Sequence, residues 1–73
     1  MNLKELRKQS GLKAYKIAEK LNISRVQFNN IESGRTKVNE EKVYMLSDIY
    51  KRNANDIRKA WEVSIIERTG NTI

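Results

Sequence analysis

The sequence contains no cysteine, no histidine and no proline. Without cysteine the chain can form neither a disulfide nor a thiolate zinc site. Histidine is the commonest general base and cysteine the most reactive side-chain nucleophile, so their absence argues against catalysis. The serines have no imidazole partner, and the three glycines lie too far apart to form a phosphate-binding loop. We therefore expect no enzymatic activity, no metal site and no cofactor.

Long apolar segments are also missing. Hydrophobic residues make up 38% of the 73 residues, and no run approaches the length of a membrane span or the apolar part of a signal peptide. A chain of this length forms one domain with a modest core. These features predict a soluble intracellular protein with no membrane partner.

The charges are unbalanced toward the basic side. Lysine and arginine number 15 against 9 acidic residues, which leaves a formal net charge of +6. Such an excess on a small domain favours a polyanionic partner. An acidic membrane surface would require a helix with basic residues on one face and large apolar residues opposite, and no segment shows that pattern. Nucleic acid is the polyanionic partner that the charge favours, and a basic surface that serves solubility alone is the alternative.

Apolar residues recur at helical spacing in five segments, which predicts five short helices and no strand. Asn2 and Glu5 form a capping box at the start of the first helix, and Gly11 ends it. Asn39 is expected to cap the fourth helix and Asn55 the fifth. The end of the chain has turn residues and no periodicity. We therefore expect a domain over residues 1–67 and a disordered tail over residues 68–73.

The segment from residue 14 to residue 34 predicts two of these helices, joined by a tight turn. The first has one apolar face, made of Ala14, Ile17, Ala18 and Leu21. Asn22 follows this helix, and asparagine tolerates the left-handed backbone that ends a helix sharply. Ile23 is a single apolar residue within the turn and is expected to fill the corner between the helices.

The second helix of this pair has its own start and stop signals. Ser24 and Gln27 form an S-x-x-Q capping box, and Gly34 is expected to end the helix in a left-handed conformation. Phe28 and Ile31 form its inner face. Its outer face carries Arg25, Val26, Gln27, Asn29 and Asn30.

That outer face has the chemistry of base recognition. Arginine pairs bidentately with guanine, glutamine and asparagine pair with adenine, and valine contacts the thymine methyl group. A merely solvated polar face is the alternative, which the turn and the net charge make less favourable. We predict that four residues read bases: Arg25, Val26, Gln27 and Asn30.

The run GLKAYKIAEKLNISRVQFNNIESGRTK resembles the helix-turn-helix of the phage-repressor and Cro family of DNA-binding proteins. The matching positions are Ile17, Ala18, Leu21, Ile23, Ser24, Arg25, Ile31, Glu32 and Gly34. The chain departs from the family at Ala14, where glutamine is usual, and at Asn22, where glycine is usual. The resemblance implies a compact all-α domain of five helices, of the lambda-repressor-like type, with the helix-turn-helix at helices 2 and 3.

The resemblance also implies a function. It is that of a sequence-specific regulator of transcription, a repressor, which reads the major groove of double-stranded DNA with the helix at residues 25–33. Such a protein is bacterial or phage-encoded, cytoplasmic and associated with the nucleoid, and a partner protein is one way to control it. We expect phosphates to be held by Lys13, Tyr15, Lys16, Asn29, Ser33, Arg35, Thr36 and Lys37. The alternative is a protein-interaction module, such as the DNA-binding antitoxin of a toxin–antitoxin pair.

Three further expectations concern single residues. Glu32 is expected to pair with the neighbouring Arg35, and direct reading of a cytosine is the less favoured alternative. Trp61 is expected in the core, with a dimer contact as its alternative. The fifth helix has more apolar residues than one buried face requires. We therefore expect a homodimer on a pseudo-palindromic operator, with Val63 and Ile66 at the dimer interface.

Overall fold

The computed structural model describes residues 1–70, and these residues form five α-helices and no strand. The helices are α1 (Leu3–Ser10), α2 (Ala14–Leu21), α3 (Arg25–Glu32), α4 (Glu40–Tyr50) and α5 (Ala54–Thr69). The predicted all-α architecture of five helices is thus confirmed. Within this range, no helix combines the length and the apolar character that crossing a bilayer demands.

Both predicted capping boxes are present. The Asn2 side chain accepts from the Glu5 amide at 2.8 Å, and the Glu5 carboxylate accepts from the Asn2 amide at 2.9 Å. Ser24 and Gln27 make the same reciprocal pair at 3.1 and 3.0 Å. Each box satisfies backbone donors that would otherwise lack a partner at the start of a helix.

The boundaries of α5 differ from the sequence prediction. Its N-cap is Asn53, whose side chain accepts from the Asp56 amide at 2.8 Å, and not Asn55, which lies in the first turn. The reason is that Lys51 turns left-handed and ends α4 sharply, so the chain is ready to begin a new helix two residues later. At the other end, α5 includes the first two residues of the expected tail and ends at Gly70. The remainder of that tail, residues 71–73, lies outside the described residues.

The core lies at the centre of the five helices. Its largest fully buried side chains are Phe28, Leu3, Ile17, Leu21, Leu46, Ile57 and Val43. On α4 the buried stripe consists of Val43, Leu46 and Tyr50, while Ile49 is only half-buried. Ile49 lies six residues after Val43, which rotates it by about 120° around the helix axis from Val43, whereas Tyr50 at seven residues is rotated by only about 20°.

The long α5 connects the ends of the chain. It packs against α4, α1 and α3. Near its C-terminal end, the buried Ser64 hydroxyl accepts a hydrogen bond from the Leu3 amide at 3.2 Å and donates to the Ala60 carbonyl at 3.0 Å. α5 therefore supports α3 of the motif directly, and it holds the start of α1 through Ser64.

Candidate nucleic-acid interface

Helices α2 and α3 form the predicted helix–turn–helix unit. Asn22 ends α2 with φ +59°, and the Ile23 amide donates to the Ala18 carbonyl at 3.0 Å. Ile23 is half-buried and packs on the core. Ala18 is 2% exposed, and its small side chain is part of the seam in which α3 buries Phe28. The local signals that predicted two helices and a sharp turn are confirmed.

The outer side of α3 is open to solvent. Arg25, Gln27 and Asn29 are exposed, and Val26 is 67% exposed. Since Phe28 anchors the opposite side, the helix presents this set of side chains on a fixed support. The arrangement places a guanidinium group, an apolar methyl pair and side-chain amides next to one another.

Two of the predicted base-reading residues also have structural tasks. The Gln27 carbonyl oxygen is engaged by the Ser24 amide, so Gln27 offers only its N–H donors while the capping box is closed. A bidentate pair with adenine requires both the oxygen and the nitrogen. Asn30 is half-buried, and its main-chain carbonyl accepts from the amides of Arg35 at 2.8 Å and Thr36 at 3.2 Å. Asn30 therefore holds the loop that follows α3.

That loop, residues 33–39, joins α3 to α4 and is named the α3–α4 loop below. Its exposed residues are Arg35, Thr36, Lys37 and Asn39. Gly34 and Val38 are buried and hold the loop against the domain. The Ser33 hydroxyl donates to the Asn30 carbonyl at 3.2 Å. A basic, hydroxyl-bearing segment is thus displayed on a loop that is tied down from within.

The remaining predicted contacts fall into two separate places. Lys13, Tyr15 and Lys16 lie exposed at the start of α2, where Lys13 is the N-cap residue and uses no side-chain hydrogen bond for the cap. Asn29 and Ser33 instead line a cleft beside α1 and the end of α5. The free amides at the start of α2 favour an anion there.

A groove between α3 and the α3–α4 loop brings several predicted residues together. Gln27 and Asn30 face Thr36 and Lys37 across it, and Lys42 of α4 also lines it. Sequence reasoning missed Lys42 because this residue directly follows the acidic pair Glu40–Glu41 in the first turn of α4. The only signal available for Lys42 was its position one turn after the cap Asn39, whose side chain accepts from the Lys42 amide at 2.8 Å.

The predicted ion pair between Glu32 and Arg35 is wrong. Glu32 instead accepts two hydrogen bonds from Arg7 of α1, at 2.7 and 3.3 Å. The side chains are only 18% and 10% exposed, for Arg7 and Glu32 respectively, whereas Arg35 lies in the exposed loop. The hydrogen bond to Glu32 raises the pKa of Arg7 above its ordinary value. The pair fastens the C-terminal end of α3 to α1.

Tyr50 is buried close to this ion pair. Burial, followed by the negative charge of Glu32, raises the pKa of the Tyr50 hydroxyl well above its ordinary value. The hydroxyl has no hydrogen-bond partner among the described residues. The C-terminal end of α3 therefore lies beside a small polar cluster and not over a purely apolar core.

Trp61 is less enclosed than the prediction of a core position implied. Trp61 packs on the edge of the core but is half-buried, and its indole N–H donates to the Thr36 carbonyl at 3.2 Å. Ile65 lies directly against Gly34, where its backbone leaves no space for a Cβ atom. Of the two residues predicted at a dimer interface, Val63 is half-buried and Ile66 is 49% exposed.

The comparisons with known proteins support one assignment. A family profile described as helix-turn-helix matches residues 3–57, from the start of α1 into the first turn of α5. No curated protein and no solved structure matches the chain significantly. The profile spans well over half of the 73 residues and contains the α2–α3 unit with its open outer face. The chain therefore belongs to the helix-turn-helix family of the phage-repressor and Cro type, a DNA-binding regulatory family.

Proposed function

We propose that this protein is a sequence-specific transcriptional repressor that places α3 in the major groove of double-stranded DNA. The observation that carries the proposal is the outer side of α3, where Arg25, Val26 and Gln27 are exposed on a helix whose inner residue Phe28 is 2% exposed. A rigidly docked helix is the element that the major groove admits. Occupancy of a promoter would then exclude polymerase.

The proposed roles follow from the chemistry of each side chain. Arg25 pairs with a guanine through its guanidinium group, and Val26 contacts a thymine methyl group. Asn30 and Gln27 recognise adenine, although Gln27 donates a single hydrogen bond as long as it caps α3. Phosphates on either side of the groove are held by Lys13, Tyr15, Lys16, Asn29, Ser33, Arg35, Thr36 and Lys37.

We propose further that two copies bind a pseudo-palindromic site. One recognition helix reads only a few base pairs, which gives too little discrimination against a genome. Two copies related by a dyad place their helices in successive major grooves, about 34 Å apart. The exposed Ile66 and the half-buried Val63 support a dimer surface on α5. That surface is small, so we expect pairing on DNA and not in the free protein.

The first experiment selects bound sequences from random duplex DNA and measures affinity over a series of salt concentrations. With about five phosphate contacts, the slope of log affinity against log salt is expected to be roughly −4 to −5. Arg25→Ala should weaken binding to the selected site by about 1–3 kcal/mol and relax the preference at one base pair. Lys37→Ala should weaken binding to all DNA sequences by about the same factor. If the retention of the protein on random duplex DNA does not depend on salt, the protein-interaction module is favoured instead.

The dimer is tested by the stoichiometry and cooperativity of binding to the selected site. The variant with Val63→Lys and Ile66→Lys should lose cooperativity and keep its helical content. Glu62→Lys is the matched control, because it changes the net charge by the same amount at an exposed position of the same helix. A complex of one chain per duplex would refute the dimer. Cooperativity that survives the double variant would refute its assignment to α5.

A further inference from the structure

The C-terminal part of α5 extends beyond the segment that matches the family. The match ends at residue 57, whereas α5 continues to Thr69. Within this extension, the Trp61 indole N–H donates to the Thr36 carbonyl of the α3–α4 loop. Ile65 lies against Gly34, near the start of that loop. The extension therefore touches the proposed DNA interface from behind, at two points four residues apart on α5.

The hydrogen bond from Trp61 is made to the peptide group between Thr36 and Lys37. The Thr36 amide donates to the Asn30 carbonyl of α3, and the Thr36 carbonyl accepts from the Trp61 indole of α5. Both backbone groups of Thr36 are thus held, from two different helices. Because a trans peptide is planar, its N–H points opposite to its C=O. The bond from Trp61 therefore directs the Lys37 N–H away from α5.

We infer that Trp61 is a positioning residue for DNA binding, which orients the Thr36–Lys37 peptide so that the Lys37 N–H and ammonium group meet one phosphate. The inference rests on the proposed function. Backbone N–H groups and lysine side chains are both common ligands of DNA phosphates. Lys37 is exposed and follows a residue that is fixed on both sides, so this contact needs little ordering of the chain when DNA binds.

The indole N–H is the group that matters, and not only the bulk of the ring. Trp61 is half-buried at the margin of the core, where an aliphatic or phenyl side chain would also cover apolar surface. The N–H of a partly buried tryptophan usually has a hydrogen-bond acceptor, and here the acceptor is the Thr36 carbonyl of the α3–α4 loop. Trp61→Phe keeps an aromatic ring on the core and removes the donor together with one ring of the indole, so the salt dependence of DNA binding has to be compared with that of a variant that loses only stability.

The test compares Trp61→Phe with Ser64→Ala on random duplex DNA over a salt series. Ser64 lies on the same helix, but its hydroxyl contacts Leu3 of α1 and not the loop. Trp61→Phe should reduce the salt slope by about one, so that the loss of affinity between 50 and 200 mM salt shrinks by roughly 3.5-fold. Ser64→Ala should lower the midpoint of thermal unfolding and leave the slope unchanged. An unchanged slope in Trp61→Phe, or an equal change in both variants, overturns the inference.

A double-mutant cycle with Lys37→Ala tests the route of the effect. If Trp61 acts through Lys37, then Trp61→Phe weakens binding less in the Lys37→Ala background than in the wild type, because the ammonium contact is already lost there and only the backbone N–H remains to be oriented. Losses that simply add overturn the inference. If the wild-type protein itself shows no salt-dependent DNA binding, the proposed function fails, which is a separate outcome.

A measurement on the unaltered protein keeps the test independent of how well the variants fold. Trp61 is the only tryptophan, so its indole N–H resonance is assigned without ambiguity. Exchange of that proton with solvent should slow when DNA binds, because the loop is then held on both sides. An exchange rate that DNA leaves unchanged would show that the contact is unrelated to binding.

Discussion

Gly34→Ala and Gly11→Ala form a matched pair that tests how α5 packs against the chain at the C-terminal end of α3. Both glycines have positive φ, +82° at Gly34 and +76° at Gly11. A Cβ at Gly34 would lie 2.8 Å from the Cα and N atoms of Ile65, which are backbone atoms that cannot move without shifting α5. At Gly11 no atom lies within 4 Å of a new Cβ.

The expected losses of stability differ for that reason. A left-handed backbone costs a residue with a Cβ about 1–2 kcal/mol, and the stiffer unfolded chain of the alanine variant returns part of it. Gly11→Ala should therefore lower the free energy of unfolding by about 1 kcal/mol. Gly34→Ala adds an overpacking cost of about 1–3 kcal/mol to the same backbone cost, for a total of roughly 2–4 kcal/mol. A domain of this length has a free energy of unfolding of only about 4–11 kcal/mol.

The assay is urea denaturation followed by far-ultraviolet circular dichroism, with both variants and the wild type at one temperature. Equal slopes with urea would show that the change lies in stability and not in the extent of unfolding. A similar loss in both variants would refute the contact between α5 and Gly34. It would also remove the contact of Ile65 with Gly34, which is one of the two contacts between α5 and the loop that support the proposed role of Trp61.

Three other variants test the interior. Phe28→Ala should cost about 3–5 kcal/mol, a large share of the domain's stability, and should lower the midpoint of its melting curve, because Phe28 is a buried aromatic in the seam of the motif. Glu32→Gln should lower the free energy of unfolding by about 3 kcal/mol, because it leaves the half-buried Arg7 without a charged partner. Replacing both Arg7 and Glu32, by Leu and Met, should lower it much less in the same denaturation assay. Tyr50→Phe should stabilise the protein by about 1 kcal/mol, since it removes a buried hydroxyl without a partner among the described residues. Because the pKa of Tyr50 is raised in the folded state, the unfolded chain loses that proton first, so wild-type stability is fully present below about pH 10 and falls above it. Unfolding measured against pH should show a smaller alkaline loss in Tyr50→Phe, and identical profiles would contradict this account.

The sequence by itself determined the features that depend on neighbours within one helical turn. The boxes at Asn2 and Ser24, the left-handed Asn22 and the inner face of α3 were all predictable, because a cap or an apolar stripe involves residues three or four positions apart. The family assignment followed from the same segment. The composition of the outer face of α3 also came from this local pattern, and its base-reading role stays a prediction.

Tertiary structure alone decided which distant groups meet. Glu32 had a basic neighbour three residues away in Arg35, yet it pairs with Arg7 because α1 brings a guanidinium to a shielded site, where an ion pair is screened less than in the exposed loop. Trp61 lies 25 residues from Thr36, and no periodicity relates a residue of α5 to the carbonyl of a loop. Such contacts depend on how five short helices share one small core, and a pattern read along the chain holds no information about distances across it.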